Sequence, residues 1–182
     1  MSGTQLYFIA MVAPEPVETS VGGFKQYMLE TYGCKVALKS PAHITLVPPF
    51  KMDEREEETL TATMDKIVAP HQAFPIELNG FDAFPPRVIF VNILSNPLLS
   101  KLFDSLQHQL HHFRPLLFEP DKRPFHPHMT IANRDIPHRR FNEALAYFHS
   151  MGYQSNWQAE TVSLLKYSPG KWRVIHESPL AG

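Results

Sequence analysis

Two segments of this 182-residue chain repeat one pattern, with their histidines 85 positions apart. His43-Ile44-Thr45-Leu46 and His128-Met129-Thr130-Ile131 each set a histidine, an apolar residue, a threonine and a second apolar residue in a row. Such alternation is the period of a strand, so each segment projects an imidazole and a hydroxyl from one face and buries two apolar side chains behind. Prolines bound both segments. Pro41 precedes His43 by two residues and Pro127 precedes His128 directly, while Pro48 and Pro49 close the first segment, read as a strand over 42–47. Val88 and Val174, 86 residues apart, keep nearly the same offset. A repeat that long, occurring twice, is no solenoid unit. It predicts two copies of a strand–helix–strand–helix–hairpin module.

The rest of the chain fits that order. The apolar run Gln5 to Val12 is a central strand, and Val21, Phe24, Met28 and Leu29 give a helix over 18–31 that Gly33 stops. Leu60, Met64, Ile67 and Val68 form one stripe of an amphipathic helix over 53–68 with an acidic first turn. Strands over 74–81 and 87–94 flank Pro85-Pro86, and Pro97 opens a helix carrying Leu98, Leu102, Leu106 and Leu110. After the second motif come a helix over 139–149, stopped by Gly152, and a hairpin of 159–167 with 171–177 around Pro169-Gly170. Helices alternating with antiparallel pairs predict a bilobal α+β fold. Its two pseudo-two-fold modules would line a central cleft with their sheets and carry their helices outside.

A length of 182 residues with 43% hydrophobic content suits one domain over 1–182, built from two interleaved lobes. The 17 basic and 18 acidic side chains nearly cancel, which excludes a global positive field for gripping long duplexes and leaves only local nucleic-acid contact. Cys34 is the only cysteine; it cannot form an intramolecular disulfide and reads as a small buried residue. The apolar N-terminal run is too short for a membrane span and lacks the preceding basic residue of a signal peptide, so a cytoplasmic monomer is expected.

Two strand histidines facing one cleft have a chemical use. Cleaving a phosphodiester in line requires a base for the incoming nucleophile and an acid for the departing oxygen. Imidazole, with an ordinary pKa of about 6.5, serves either role near neutral pH. Thr45 and Thr130 can donate hydrogen bonds to non-bridging phosphate oxygens. Such a scheme needs no metal or other cofactor, and residues alone do not say which histidine is the acid.

The paired motifs HITL and HMTI, their separation, the prolines ahead of them and the module order resemble the 2H phosphoesterase superfamily, within it the bacterial and archaeal 2′-5′ RNA ligase group. The resemblance covers essentially the whole chain. It implies a bilobal fold with pseudo-two-fold symmetry and metal-independent opening of RNA 2′,3′-cyclic phosphate to a 2′-phosphate end. His43 would protonate the leaving 3′ oxygen and His128 activate water, with Thr45 and Thr130 holding phosphate. The reverse reaction, 2′-5′ ligation of a cyclic end to a 5′-hydroxyl, is implied as well.

Weaker candidates surround the motifs. Arg123, Lys122 and His126 can steer phosphate or simply face solvent, and Arg87 can reach substrate or form a surface salt bridge. Phe50, Phe84 and Phe125 sit in proline-bounded loops where one ring could stack a base. His126-Pro127-His128 and His111-His112 lack an accompanying carboxylate or cysteine cluster at ligand spacing, so neither reads as a metal site. Competing functions are a cyclic phosphodiesterase for ADP-ribose cyclic phosphate or 2′-5′ oligonucleotides, and a non-catalytic nucleotide- or RNA-end-binding module.

Overall fold

A computed structural model describes residues 3–182. Among these, eight strands run in the order β1 (Thr4–Val12), β2 (His43–Asp53), β3 (Phe74–Phe84), β4 (Val88–Ile93), β5 (His128–Asn133), β6 (Gln154–Ala159), β7 (Thr161–Ser168) and β8 (Lys171–Pro179). Between them lie α1 (Val17–Tyr32), α2 (Glu57–Val68), α3 (Pro97–Phe113) and α4 (Phe141–Met151). The strands form two antiparallel sheets, ordered β2-β1-β7-β8 and β5-β4-β3-β6. In each, a histidine strand takes the edge, and each sheet draws strands from both halves of the chain.

The sheet orders redefine the repeat. By position β1 matches β4, β2 matches β5 and β3 matches β7, so the module is strand–helix–strand–helix–strand, and its third strand joins the other module's sheet. The hairpins β3-β4 and β7-β8 arise because the exchanged strand turns straight into the next one. Val88 lies in β4 and Val174 in β8, which hold different sheet positions, so their 86-residue offset does not mark equivalent sites. One helix of each module, α1 and α3, is exchanged too. Helix α1 packs on β5 and β6, and α4 on β3, while α2 packs on α3 and β8, and α3 also touches β2.

Four elements differ from the sequence expectation. Strand β2 continues through Pro48 and Pro49 to Asp53, because it is an edge strand and a register shift opposite Tyr7 to Ile9 absorbs the missing donors. Consequently α2 starts at Glu57, after a short 3-10 turn over Glu54–Glu56. Strand β6 lies outside the expected elements. Its sequence QSNWQA buries only Trp157 and Ala159, and pairing with β3 from Phe74↔Ala159 to Asn79↔Gln154 holds it extended. Within α3, Leu99 rather than Leu98 faces the core beside Leu102, Leu106 and Leu110. Its entry is fixed by Asn96, whose side chain accepts from the N–H groups of Leu98 and Leu99.

Side-chain parity then separates core from cleft. On β1, Tyr7, Ile9 and Met11 join the main core, whereas Phe8 and Ala10 form a separate small cluster with Leu165 on the opposite face, flanked by Val12 and Trp172. No helix among the described residues is long and apolar enough to cross a membrane.

Candidate active site

The strand period works as expected at both motifs. Ile44 and Leu46 are 0% and 1% exposed and Met129 and Ile131 are both at 0%, so their neighbours His43, Thr45, His128 and Thr130 are forced onto the other face. All four polar residues line one cleft of about 430 Å³.

The two imidazoles are held alike. His43 Nδ1 lies 2.7 Å from the carbonyl of Pro41, and His128 Nδ1 lies 2.7 Å from the carbonyl of His126. A carbonyl only accepts, so Nδ1 carries the proton in each neutral ring and Nε2 is left with a lone pair. Among the described residues neither Nε2, nor the hydroxyl of Thr45 or Thr130, bonds to protein. One aromatic from the adjacent inner strand backs each ring: Phe8 stands 4.9 Å from His43 and Phe90 stands 5.0 Å from His128, centroid to centroid. The hairpins add a second aromatic apiece. Trp172 meets Phe8 edge-on at 4.6 Å, and Phe84 meets His128 edge-on at 5.0 Å.

Burial sets the protonation. It pushes His43 down to about 4, opposed by the Pro41 hydrogen bond and reinforced by the positive charges of Lys25 and His128. Burial also lowers His128; the bond to the His126 carbonyl opposes it and the His126 ring adds to it. Among the described residues the cleft lining contains Arg123 and Arg134 and no carboxylate. An anion that binds there meets two guanidinium groups and two rings whose charged form it favours.

The other candidates divide. Arg123 reaches the cleft, though its guanidinium is also paired with Asp121 at 2.7 Å, and Phe84 lines it as well. Phe50 does not. It is 8% exposed and packs between Tyr7 and Phe118, so its ring belongs to the core. Phe125 stacks on Phe103 at 3.9 Å, and Arg87 lies outside the lining, its carbonyl accepting from Arg134 N–H. His126 contributes its carbonyl to His128 and its ring to Phe84, and Lys122 is exposed outside the lining. Among the described residues no group of three or more His, Cys, Asp or Glu could hold a metal. Cys34 is buried, its thiol pushed up to about 11 by burial, with Asp135 adding.

Sequence reasoning missed Phe8, Trp172 and Arg134. Phe8 reads as one more apolar residue of a central strand, and only the alternation with Tyr7 and Ile9 marks it as facing the other way. Arg134 did carry a signal, since it follows the second motif strand directly. It holds the left-handed conformation at φ 65°, uncommon for a residue with a side chain.

Two edge strands, each presenting an imidazole and a hydroxyl to a shared anion-favouring cleft, define a bilobal α+β class of 2H phosphoesterases. The model of the 2'-5' RNA ligase superfamily matches residues 13–171, and the chain belongs to that family. Similar proteins include one of Geobacillus kaustophilus that bears a phosphoesterase name, 26% identical over 182 residues and covering 97% of this chain and 96% of that one. The RNA 2',3'-cyclic phosphodiesterase of Bacillus subtilis is 30% identical over 96 residues, covering 50% of this chain and 51% of its own. Among solved structures, a Thermus thermophilus protein superposes with a TM-score of 0.72 at 22% identity, over 97% of this chain and 98% of that one. Escherichia coli LigT complexed with 3'-AMP gives 0.70 at 19%, over 99% and 100%. These likenesses show that the fold is shared.

Proposed function

We propose that the protein opens 2′,3′-cyclic phosphates, on RNA ends or small nucleotides, to 2′-phosphates by acid–base catalysis without a metal. One observation carries this reading: both imidazoles have Nδ1 tied to a backbone carbonyl and Nε2 free in one carboxylate-free cleft among the described residues. A phosphate between them would have a proton donor on one side and an acceptor on the other. Water attacks phosphorus as its proton passes to one Nε2, and the bond to the 3′ oxygen breaks as the other imidazolium protonates that oxygen. Thr45 and Thr130 hold non-bridging oxygens, and Arg123 and Arg134 draw the anion in. The partners fitting this cleft are an RNA end or a small nucleotide; the LigT structure with 3'-AMP supports a nucleotide-sized ligand. With a 5′-hydroxyl in place of water as the nucleophile, the same acid–base chemistry would break the bond to the 3′ oxygen and join the cyclic end to that hydroxyl in a 2′-5′ linkage.

On the family pattern His43 is the acid and His128 the base. A second reading exchanges them, and the value of about 4 for His43 favours it, because an imidazole so depressed is neutral in the free protein. A bound phosphate anion favours imidazolium and works against that depression.

The pH dependence follows with a definite sign. Turnover requires one proton shared between the two rings, and both rings titrate below the ordinary 6.5 in the free protein. The value of kcat/KM should therefore peak on the acid side of 6.5 and fall as pH rises. The alkaline limb of kcat should lie at higher pH, since bound phosphate raises both rings. Initial rates on 2′,3′-cyclic nucleotides from acid to mildly alkaline pH check this, and a kcat/KM that climbs on the alkaline side of neutrality contradicts it.

Replacing either threonine with valine keeps the strand and removes one donor to phosphate. Each of Thr45→Val and Thr130→Val should lower kcat/KM by roughly 10-fold or more, about the effect of one charge-assisted hydrogen bond. Unchanged kinetics in both would remove the threonines from the site.

A further inference from the structure

Helix α1 packs on the sheet of the second motif, yet two of its side chains grip the segment that leads into β2. Lys25, only 3% exposed, donates from Nζ to the carbonyl of Ser40 at 2.9 Å. Two helical turns earlier, Glu18 Oε2 accepts the N–H of Ala42 at 2.6 Å. Between these two anchored residues stands Pro41, whose carbonyl holds His43 Nδ1. The carbonyl of Ala42 in turn accepts from Ala13 N–H. Everything around the Pro41 carbonyl is thus tied down.

Burying an ammonium is costly, and among the described residues no carboxylate lies within ion-pair distance of Lys25 to offset it. Burial pushes Lys25 down to about 8, with Glu18 holding it up, so it remains charged at neutral pH. An apolar side chain would serve packing better. Costly local choices that the fold retains are expected at functional sites. The second motif has no such grip among the described residues: the His126 carbonyl holds His128, while the His126 ring meets the rings of Phe84, Phe90 and His128.

We propose that Lys25 and Glu18 are positioning residues for His43: they pin the peptide on both sides of Pro41, and the Lys25 ammonium stands behind the imidazole as a fixed positive charge. The first effect aims Nε2 into the cleft. The second adds to burial in keeping the ring neutral until an anionic phosphate supplies the opposing charge, so that protonation of His43 accompanies substrate binding. The kinetic half of this inference rests on the proposed phosphodiesterase reading; the geometric half does not.

The test combines histidine side-chain NMR of the ligand-free protein with turnover of 2′,3′-cyclic nucleotides and thermal unfolding, on Lys25→Met, Glu18→Gln and Glu18→Leu. In the native protein the His43 Nδ1 proton should exchange slowly and the ring stay in the Nδ1–H tautomer. Lys25→Met should speed that exchange and raise the His43 titration midpoint. Its kcat should fall by about 10- to 100-fold, the scale of a sub-ångström to 1 Å misplacement, with KM little changed. Its Tm should hold or rise, because a buried charge has been removed. Glu18→Gln, which keeps an acceptor for Ala42 N–H, should resemble the native protein in exchange, and Glu18→Leu should resemble Lys25→Met. Unaltered His43 exchange and midpoint in both Lys25→Met and Glu18→Leu overturn the proposal, as does a kcat loss that merely tracks a loss of Tm. If the native protein turns over no cyclic phosphate, the functional reading fails by itself and the NMR arms still decide the positioning role.

Discussion

His43→Ala and His128→Ala should each lower kcat/KM on a 2′,3′-cyclic nucleotide by roughly 10²- to 10⁴-fold, the usual contribution of a placed general acid or base. Both side chains lie on the cleft face, with the apolar packing of each strand carried by Ile44, Leu46, Met129 and Ile131, so unfolding should change little. The double variant should be hardly worse than either single one, because an acid without its base completes no turnover. A chelator should leave the native rate unchanged under this scheme. Dependence of the rate on added metal, or residual activity in both variants within tenfold of native, would sink it. An activated phosphodiester with a p-nitrophenolate leaving group then assigns the roles. Such a group departs without protonation, so the variant lacking the acid keeps most of its rate on that substrate and the variant lacking the base does not. Rescue of His43→Ala supports the family order. Rescue of His128→Ala supports the exchanged order that the burial of His43 favours.

The site was legible to the extent that it was written in period two. His43, Thr45, His128 and Thr130 announce a shared face because the apolar residues between them must go inward, and that argument needs no tertiary knowledge. The ring backing was not legible, since Phe8 and Phe90 look like any core residue of a central strand. Deciding that they face the cleft requires knowing that helices cover only one side of each sheet. Lys25 shows the same limit. In sequence it is one charged residue on an amphipathic helix, and only the exchange of helices between sheets brings it under Ser40.

The repeat was read correctly at the motifs and incorrectly at its ends for one physical reason. Hairpin signals such as Pro85-Pro86 and Pro169-Gly170 report a local reversal and say nothing about which sheet receives the strands. Strand β3 pairs with β4 and β7 with β1, burying Phe74, Ile76 and Leu78 or Val162 and Leu164 in the core, and β3 packs on α4, which is distant in sequence. Likewise β6 has too few apolar residues to declare itself, and the free backbone edge of β3 recruits it.

That exchange should be measurable as stability. Phe148 on α4 is fully buried, with its ring 4.9 Å from Phe81 of β3, 5.8 Å from Tyr27 and 6.0 Å from Phe24 of α1. It therefore joins a helix from each half of the chain to one sheet. Phe148→Ala should cost about 3–5 kcal/mol of unfolding free energy, the range for a buried phenylalanine truncated in a packed core. A loss of that size in urea should appear as a lower midpoint with an unchanged slope, because the surface exposed on unfolding stays the same. Leu116, at 99% exposure, is the matched control, and Leu116→Ala should stay within about 0.5 kcal/mol of native. Since α1 also carries Lys25 and Glu18, the truncation should loosen the seat of His43 as well as the fold. Cyclic nucleotide turnover should then fall in Phe148→Ala even under conditions where unfolding measurements show the protein fully folded. A stability loss below about 1 kcal/mol would mean that α1 and α4 are not packed through this ring against β3.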